Sequence, residues 1–333
     1  MTRMRPEAFF QSLDELVNIE FKAKRALLGG TRLRYEAGRQ AAGMPMTLQA
    51  GQVLAGLTPG APVFITTGAG NPRTLPQGET DGPSGAAFIA HLLRARGHAI
   101  VLLSDEAFLP GIVAAFEALG LGGPLDSSGA VHIEVFPLGA EEGAHKVEAL
   151  LRAYPDAAGG IFIEKPGPND RGVFHTSAGK SKDPASVAHL HLLAEALAAR
   201  GRPTLGIGDG GNEIGFGCVG RALEASLPQA RDCGCGCGGG IVNATRVDSL
   251  VCASTSNWGA YGVAAAMALL TGGEDSMPPP AAVRATVEAS VRGGANDGYS
   301  GENVPTVDGT APEASDAVYA LCLEVLRQSR ELQ

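Results

Sequence analysis

Two carboxylates four residues apart in a glycine-rich run, Asp209 and Glu213 in G-I-G-D-G-G-N-E-I-G (206–215), are the part of this sequence best suited to chemistry. Gly208, Gly210 and Gly211 carry no side chain, so backbone N–H groups can approach a ligand, and Asn212 adds an amide. Two neighbouring carboxylates can hold a divalent metal or serve as general acid and base. The alternative is that Asp209 and Asn212 cap a helix starting near 213 and the glycines serve its turn. A loop with this concentration of polar groups usually carries function, which favours the site. The segment G-E-T-D-G-P (78–83) reads similarly. Asp81 could cap a helix opening at Pro83, but Glu79 has no capping reason, and both are acid–base candidates. Asp105 and Glu106 follow an apolar run, where a site role and a favourably charged helix start fit equally. Asn257 is an ordinary N-cap candidate, and Trp258 beside it can wall a pocket but is more often core. His175, in a glycine-rich loop, is a weaker acid–base candidate. His189 and His191, two apart on a predicted helix, do not face each other and receive no role.

Three of the six cysteines form the run Cys233-Gly-Cys235-Gly-Cys237. Zinc sites usually pair cysteines two to four residues apart and need a fourth ligand, and no histidine is adjacent here. On an extended strand the three thiols would share one face. Reduced thiols are nevertheless the expectation, since nothing at the N-terminus reads as a secretion signal.

Something must hold these segments together, and the spacing of apolar runs shows what. Short β-branched runs at 62–67, 99–104, 131–136, 159–164, 203–208 and 248–254 predict strands. Helical periodicity predicts helices from Pro83, from Pro110 to 119, and over 141–153, 184–200, 213–226 and 258–270, with a last pair at 279–292 and 312–331. That alternation predicts an α/β fold, Rossmann-like, with a mostly parallel sheet and helices on both faces. Residues 1–60, where Phe9, Phe10, Leu13, Leu16 and Val17 recur at helical spacing, read as a helical N-terminal cap. Residues 61–333 read as a single α/β domain. In such sheets ligands bind beyond the carboxyl ends of the strands. The odd polar segments follow five of the predicted strands, so they should converge on one edge.

Composition narrows the partners. Asp plus Glu outnumber Lys plus Arg by 35 to 26, which argues against nucleic acid or an anionic membrane as partner. No apolar stretch is long enough to span a bilayer. A soluble cytoplasmic enzyme is expected, with room for a homo-oligomer. The G-A-G-N-P-R loop at 68–73 lacks the G-x-G-x-x-G spacing, so no nucleotide cofactor is expected.

Several of these motifs occur together elsewhere. G-E-T-D-G-P (78–83), S-D-E (104–106), E-K-P-G (164–167), the ten residues 206–215, S-N-W-G (256–259), N-D-G (296–298) and V-D-G (307–309) resemble, in the same order, the C-terminal domain family of D-glutamate cyclase. The resemblance runs from about 60 to 310. It departs at 172–179, where G-V-F-H-T-S-A-G replaces an M-R-G-like loop, and at the cysteine-rich 231–240. Enzymes of that name in eukaryotes carry a further N-terminal domain, for which 333 residues leave no room. The resemblance implies a hydro-lyase that closes D-glutamate, or a related acidic amino acid, to 5-oxo-D-proline. It implies Asp209, Glu213, Glu79 and Asp81 as catalytic groups, and Gly208, Gly210, Gly211, Asn212, Asp105, Glu106, Lys165 and Asn257 as substrate contacts. An acidic site repels an acidic substrate unless a cation intervenes. Mg²⁺ or another divalent cation on Asp209, Glu213 and Asp81 would serve, with Arg73, Lys165 or Arg171 on the α-carboxylate. The other readings are a metal-dependent enzyme acting on a phosphorylated or nucleotide ligand, and a non-catalytic partner of a separate cyclase domain.

Overall fold

The computed structural model describes residues 7–22, 30–122 and 130–331. Six parallel strands form one sheet: β1 (Val63–Thr67), β2 (Ile100–Ser104), β3 (Val131–Val135), β4 (Gly159–Ile163), β7 (Thr204–Gly208) and β8 (Ser249–Cys252). Their order is β3-β2-β1-β4-β7-β8. A separate two-residue hairpin pairs β5 (Phe174–His175) with β6 (Ser181–Lys182) in antiparallel register. Because the strand period is two, alternate residues feed opposite layers. Val63, Ile65, Ile100, Leu102, Ile161 and Ile163 join one core cluster. Phe64, Val101, Leu103 and Phe162 join another across the sheet. This is the double-sided burial that a parallel sheet requires, and the fold is α/β as expected. Strand β3 forms an edge and leaves Ile133 and Val135 partly in solvent.

The order turns back on itself at β1, which pairs with β2 on one side and β4 on the other. A topological switch of this kind opens a crevice at the carboxyl ends of the two strands. Three helices near it matter most. They are α1 (Glu7–Val17), α4 (Pro83–Ala95) and α10 (Ser256–Thr271). Helix α10 is buried almost all round, packed with Ala260, Val263, Ala264 and Met267 in one core and Tyr261, Ala265 and Leu269 in a second. Trp258 is core as well, with its ring 4.8 Å from Phe21 and its Nε1 donating to Ser315 Oγ at 2.9 Å. Helix α1 buries Phe10, Leu13 and Val17. Its Asp14 accepts hydrogen bonds from the Met46 and Thr47 backbone N–H groups at 2.7 and 2.8 Å. Those donors open helix α3 (Met46–Ala55), which follows α2 (Gly30–Ala42). Asp14 therefore caps a helix 32 residues along the chain, a service normally rendered by a local side chain.

Two helix expectations need correction. The predicted helix 184–200 is confined to α7 (His191–Ala198). Asp183 instead caps a short 3₁₀ turn over Pro184–Ser186, and Ala188 bridges to Leu138 and Gly139. His189 thus lies outside the helix, and its ring comes 5.4 Å from that of His191. The predicted helix 213–226 is also shorter. Glu213 bridges to Pro166, Gly215 takes a positive φ, and the helix α8 begins only at Gly220 (Gly220–Ser226). Asp209 and Asn212 therefore cap no helix, and the capping alternative for that motif falls away.

Candidate functional site

The polar segments that follow β1, β4, β7 and β8 meet at the crevice. Asp81, Glu164 and Asp209 are all buried, with a carboxylate oxygen of each within 4.8 Å of the others. Asp81 sits in the connection after β1, Glu164 directly after β4 and Asp209 directly after β7. Glu164 and Asp308 are the only non-glycine residues with positive φ among those described. Backbone held in this region by its surroundings is a recurring mark of functional sites.

Asp81 does not cap the helix that starts at Pro83. Its oxygens accept from the Ser256 and Asn257 N–H groups, both at 2.8 Å, which open α10. Asn257 performs the reciprocal service. Its Oδ1 accepts from the Gly82 and Gly85 N–H groups at 3.0 and 2.8 Å, which open α4. Two helices thus cap each other through a carboxylate and an amide. The local N-cap of α10 is Thr255, whose Oγ1 accepts from the Trp258 N–H. Asn257→Ala leaves the Gly85 N–H and the Thr80 carbonyl without side-chain partners. It should cost about 2 kcal/mol, combining a lost cap with an unsatisfied buried donor. A urea midpoint that falls at unchanged slope reads this, and an unchanged midpoint contradicts it.

Glu213 is engaged otherwise than the sequence suggested. Its two oxygens accept from the Gly210 and Gly211 N–H groups at 2.8 and 2.7 Å, closing the glycine loop on itself. The third carboxylate beside Asp81 and Asp209 is therefore Glu164, which lies in the E-K-P-G motif. Glu164 Oε2 accepts from Ser256 Oγ at 2.5 Å. Asn212 donates from Nδ2 to the His175 carbonyl at 3.1 Å, while its Oδ1 is buried with no protein partner. Gly208 ends β7 against Phe216 and Glu213, where a Cβ would lie 2.7 Å from the Phe216 ring.

The cations around the cluster are mostly not those expected. Lys22, just after α1, bridges Asp209 Oδ2 at 2.5 Å and Asp308 Oδ2. Lys182, on β6, donates to the Gly70 carbonyl at 3.0 Å and lies in the field of Glu79. Lys165 is buried against Asp105, at 3.0 Å, and the Gly68 carbonyl, at 2.9 Å, so Asp105 is its counter-ion. Glu106 is exposed in the 3₁₀ turn Glu106–Phe108, and Arg73 and Arg171 are exposed as well. Lys22, Lys182 and Asp308 carried no signal in spacing or periodicity. Asp308 and Glu164 stood only inside the short motifs.

The electrostatics follow from crowding acids away from water. Burial is the first cause holding the Glu79, Asp81 and Glu164 carboxyls well above the usual carboxylate range. Neighbouring negative charge adds to it: Asp308 beside Glu79 and Asp81, and Glu213 with Asp209 beside Glu164. Burial also pushes the Lys182 ammonium down, with Glu79 opposing. The cluster can therefore store protons at neutral pH or exchange them for a cation.

The family described as D-glutamate cyclase-like, C-terminal, matches residues 34–320. The mitochondrial D-glutamate cyclase of Homo sapiens is 26% identical over 229 residues, covering 62% of this chain and 33% of that protein. The match thus spans about a third of the length of the human relative.

Proposed function

The chain belongs to the D-glutamate cyclase-like, C-terminal family, and from that premise we propose that it closes an acidic amino acid, D-glutamate foremost, to a five-membered lactam. The observation that carries the reading is the convergence of Asp81, Glu164 and Asp209 in the switch-point crevice, with lysines at its rim. In the reaction the α-nitrogen bonds to the γ-carboxyl carbon and one carbon–oxygen bond breaks. Two protons leave the ammonium and end on the departing oxygen as water, with no change of oxidation state. Holding the two ends of one molecule together supplies the entropic advantage.

The donor set suits a hard divalent cation, being all oxygen, buried and mutually repelling. Asp81, Glu164 and Asp209 would hold an ion such as Mg²⁺, which when bound would polarise a substrate carboxyl oxygen. The chain's own groups take the remaining work. Asp209 accepts a proton from the substrate ammonium. Glu79, which keeps its proton through burial and the nearby Asp308 and Asp81, delivers one to the departing oxygen. Lys182 and Lys22 receive the substrate carboxylates, Lys22 by exchanging its present carboxylate partners. A phosphorylated ligand has weaker support. The N–H groups that open α4 and α10 already bond to Asn257 and Asp81, so neither helix end offers a vacant anion cradle.

The test is to incubate protein purified without chelator and desalted free of Mg²⁺ with D- or L-glutamate, with and without added Mg²⁺, and to resolve 5-oxoproline by chiral chromatography. Lactam from D-glutamate that depends on Mg²⁺ supports the reading. No lactam under any of the conditions sinks it.

A further inference from the structure

The cysteine run does not form a strand. Gly234, Gly236 and Gly238 take positive φ values of 75°, 89° and 76°, so every second residue reverses the chain. This coiling, which a side chain at those positions would resist, draws the three thiols onto one side. Cys233 Sγ lies 3.0 Å from Cys235 Sγ and 3.5 Å from Cys237 Sγ. A fourth group arrives from a different part of the chain. The hairpin β5–β6 brings His175 Nε2 to 3.3 Å from Cys235 Sγ and 3.9 Å from Cys237 Sγ. The four ligand atoms all lie within 4.8 Å of one another.

We propose that Cys233, Cys235, Cys237 and His175 form a structural site for a soft, tetrahedral divalent metal, zinc foremost. With zinc–sulfur bonds of about 2.3 Å, tetrahedral ligands stand roughly 3.7 Å apart, so the observed spacings need only small adjustment. The donors are three sulfurs and one imidazole, a set that selects zinc over the hard cations suited to the carboxylate cluster. Groups one step out are placed to support thiolates. Asn169 Nδ2 points at Cys237 Sγ from 3.5 Å while donating to the Gly240 carbonyl, and the Cys235 N–H points at Cys233 Sγ from 3.4 Å.

The site ties the cysteine loop to the hairpin, which is where its consequence lies. Gly179, at the hairpin turn, packs so closely that a Cβ would stand 2.6 Å from the Cys233 carbonyl. The same hairpin carries Lys182 to the crevice, and the His175 carbonyl accepts from Asn212 in the glycine loop. A metal on the four ligands would fix the hairpin that presents Lys182 and whose His175 carbonyl holds Asn212. It would act as a clamp on the crevice without touching substrate.

Full-length protein purified without chelator should contain one zinc per chain by elemental analysis. Cys235→Ser and Cys237→Ser should lose it, and Asp209→Asn, in the carboxylate cluster, should keep it. Stripped protein reloaded with cobalt should show thiolate-to-metal charge transfer and the intense visible bands of tetrahedral cobalt. This readout requires no variant to fold and no activity. The proposal is overturned if the reduced protein binds neither zinc nor cobalt, if the cobalt spectrum lacks sulfur charge transfer, or if the cysteine variants keep their metal. Its failure leaves the lactam assay untouched, since that assay reads a different ligand set.

Discussion

Glu164→Gln should fold normally, melt higher than the parent once stripped of metal, and form lactam more slowly by on the order of 100-fold, the usual scale for removing a charged group from a reacting centre. A glutamine oxygen can still accept from Ser256 Oγ, so the change removes charge with little change of shape. The stability gain has a definite pH signature. The unfolded chain releases this proton near the ordinary value of 4.5, whereas the folded chain holds it, through burial and through Glu213 and Asp209. Above the ordinary value the folded state therefore binds more protons than the unfolded state, and the parent loses stability as pH rises toward the elevated folded value. Glutamine does not titrate. The melting gap between variant and parent should thus widen as pH rises above the ordinary carboxylate value of 4.5 toward the raised folded value. His91, His175 and His191, pushed down chiefly by burial, contribute alike in both proteins and cancel in the difference. Adding Mg²⁺ should raise the parent's melting temperature at the upper pH and leave the variant nearly unmoved. A variant that melts below the parent throughout, or responds equally to Mg²⁺, would refute the account of the cluster.

Gly82→Ala should destabilise the protein by about 4 kcal/mol, the sum of backbone strain and overpacking at roughly 1–3 kcal/mol each. Gly82 holds φ 99° and ψ −53°, a conformation that side-chain-bearing residues rarely adopt. A Cβ there would stand 2.4 Å from Thr67 Oγ1 and 2.9 Å from Glu164 Cβ. Neither neighbour can give way easily, because Thr67 ends a central strand and Glu164 is held by Ser256. Gly60→Ala is the matched control, with φ 76° and nothing within 4 Å of the added carbon. It should cost only the strain of a left-handed residue, about 1 kcal/mol. Urea unfolding of both variants at unchanged slope measures the difference. Equal costs would mean that the close approach of β1, Gly82 and Glu164 is not as tight as described.

The amino-acid pattern by itself determined the layered α/β architecture, because strand and helix periods are local and each strand ends in recognisable punctuation. It also brought the candidate site residues to one sheet edge, since parallel strands separated by helices must align their carboxyl ends. Asp81 and Asp209 were legible as site candidates on that ground. The partners of these groups were not. Glu164 stood at the end of a predicted strand, Asp308 stood only inside a short motif, and nothing in the pattern singled out Lys22 or Lys182. Glu213, four residues from Asp209, looked like its partner but turned back onto the Gly210 and Gly211 N–H groups. Asp81 and Asn257, 176 residues apart, cap each other's helices, and His175 meets thiols about 60 residues away. Each of these pairings depends on how two distant backbones pack, and packing distance is not written in spacing along the chain. Local sequence set which groups reach the crevice from each strand end, and only the tertiary structure decided which of them face one another as counter-ions, caps and candidate ligands.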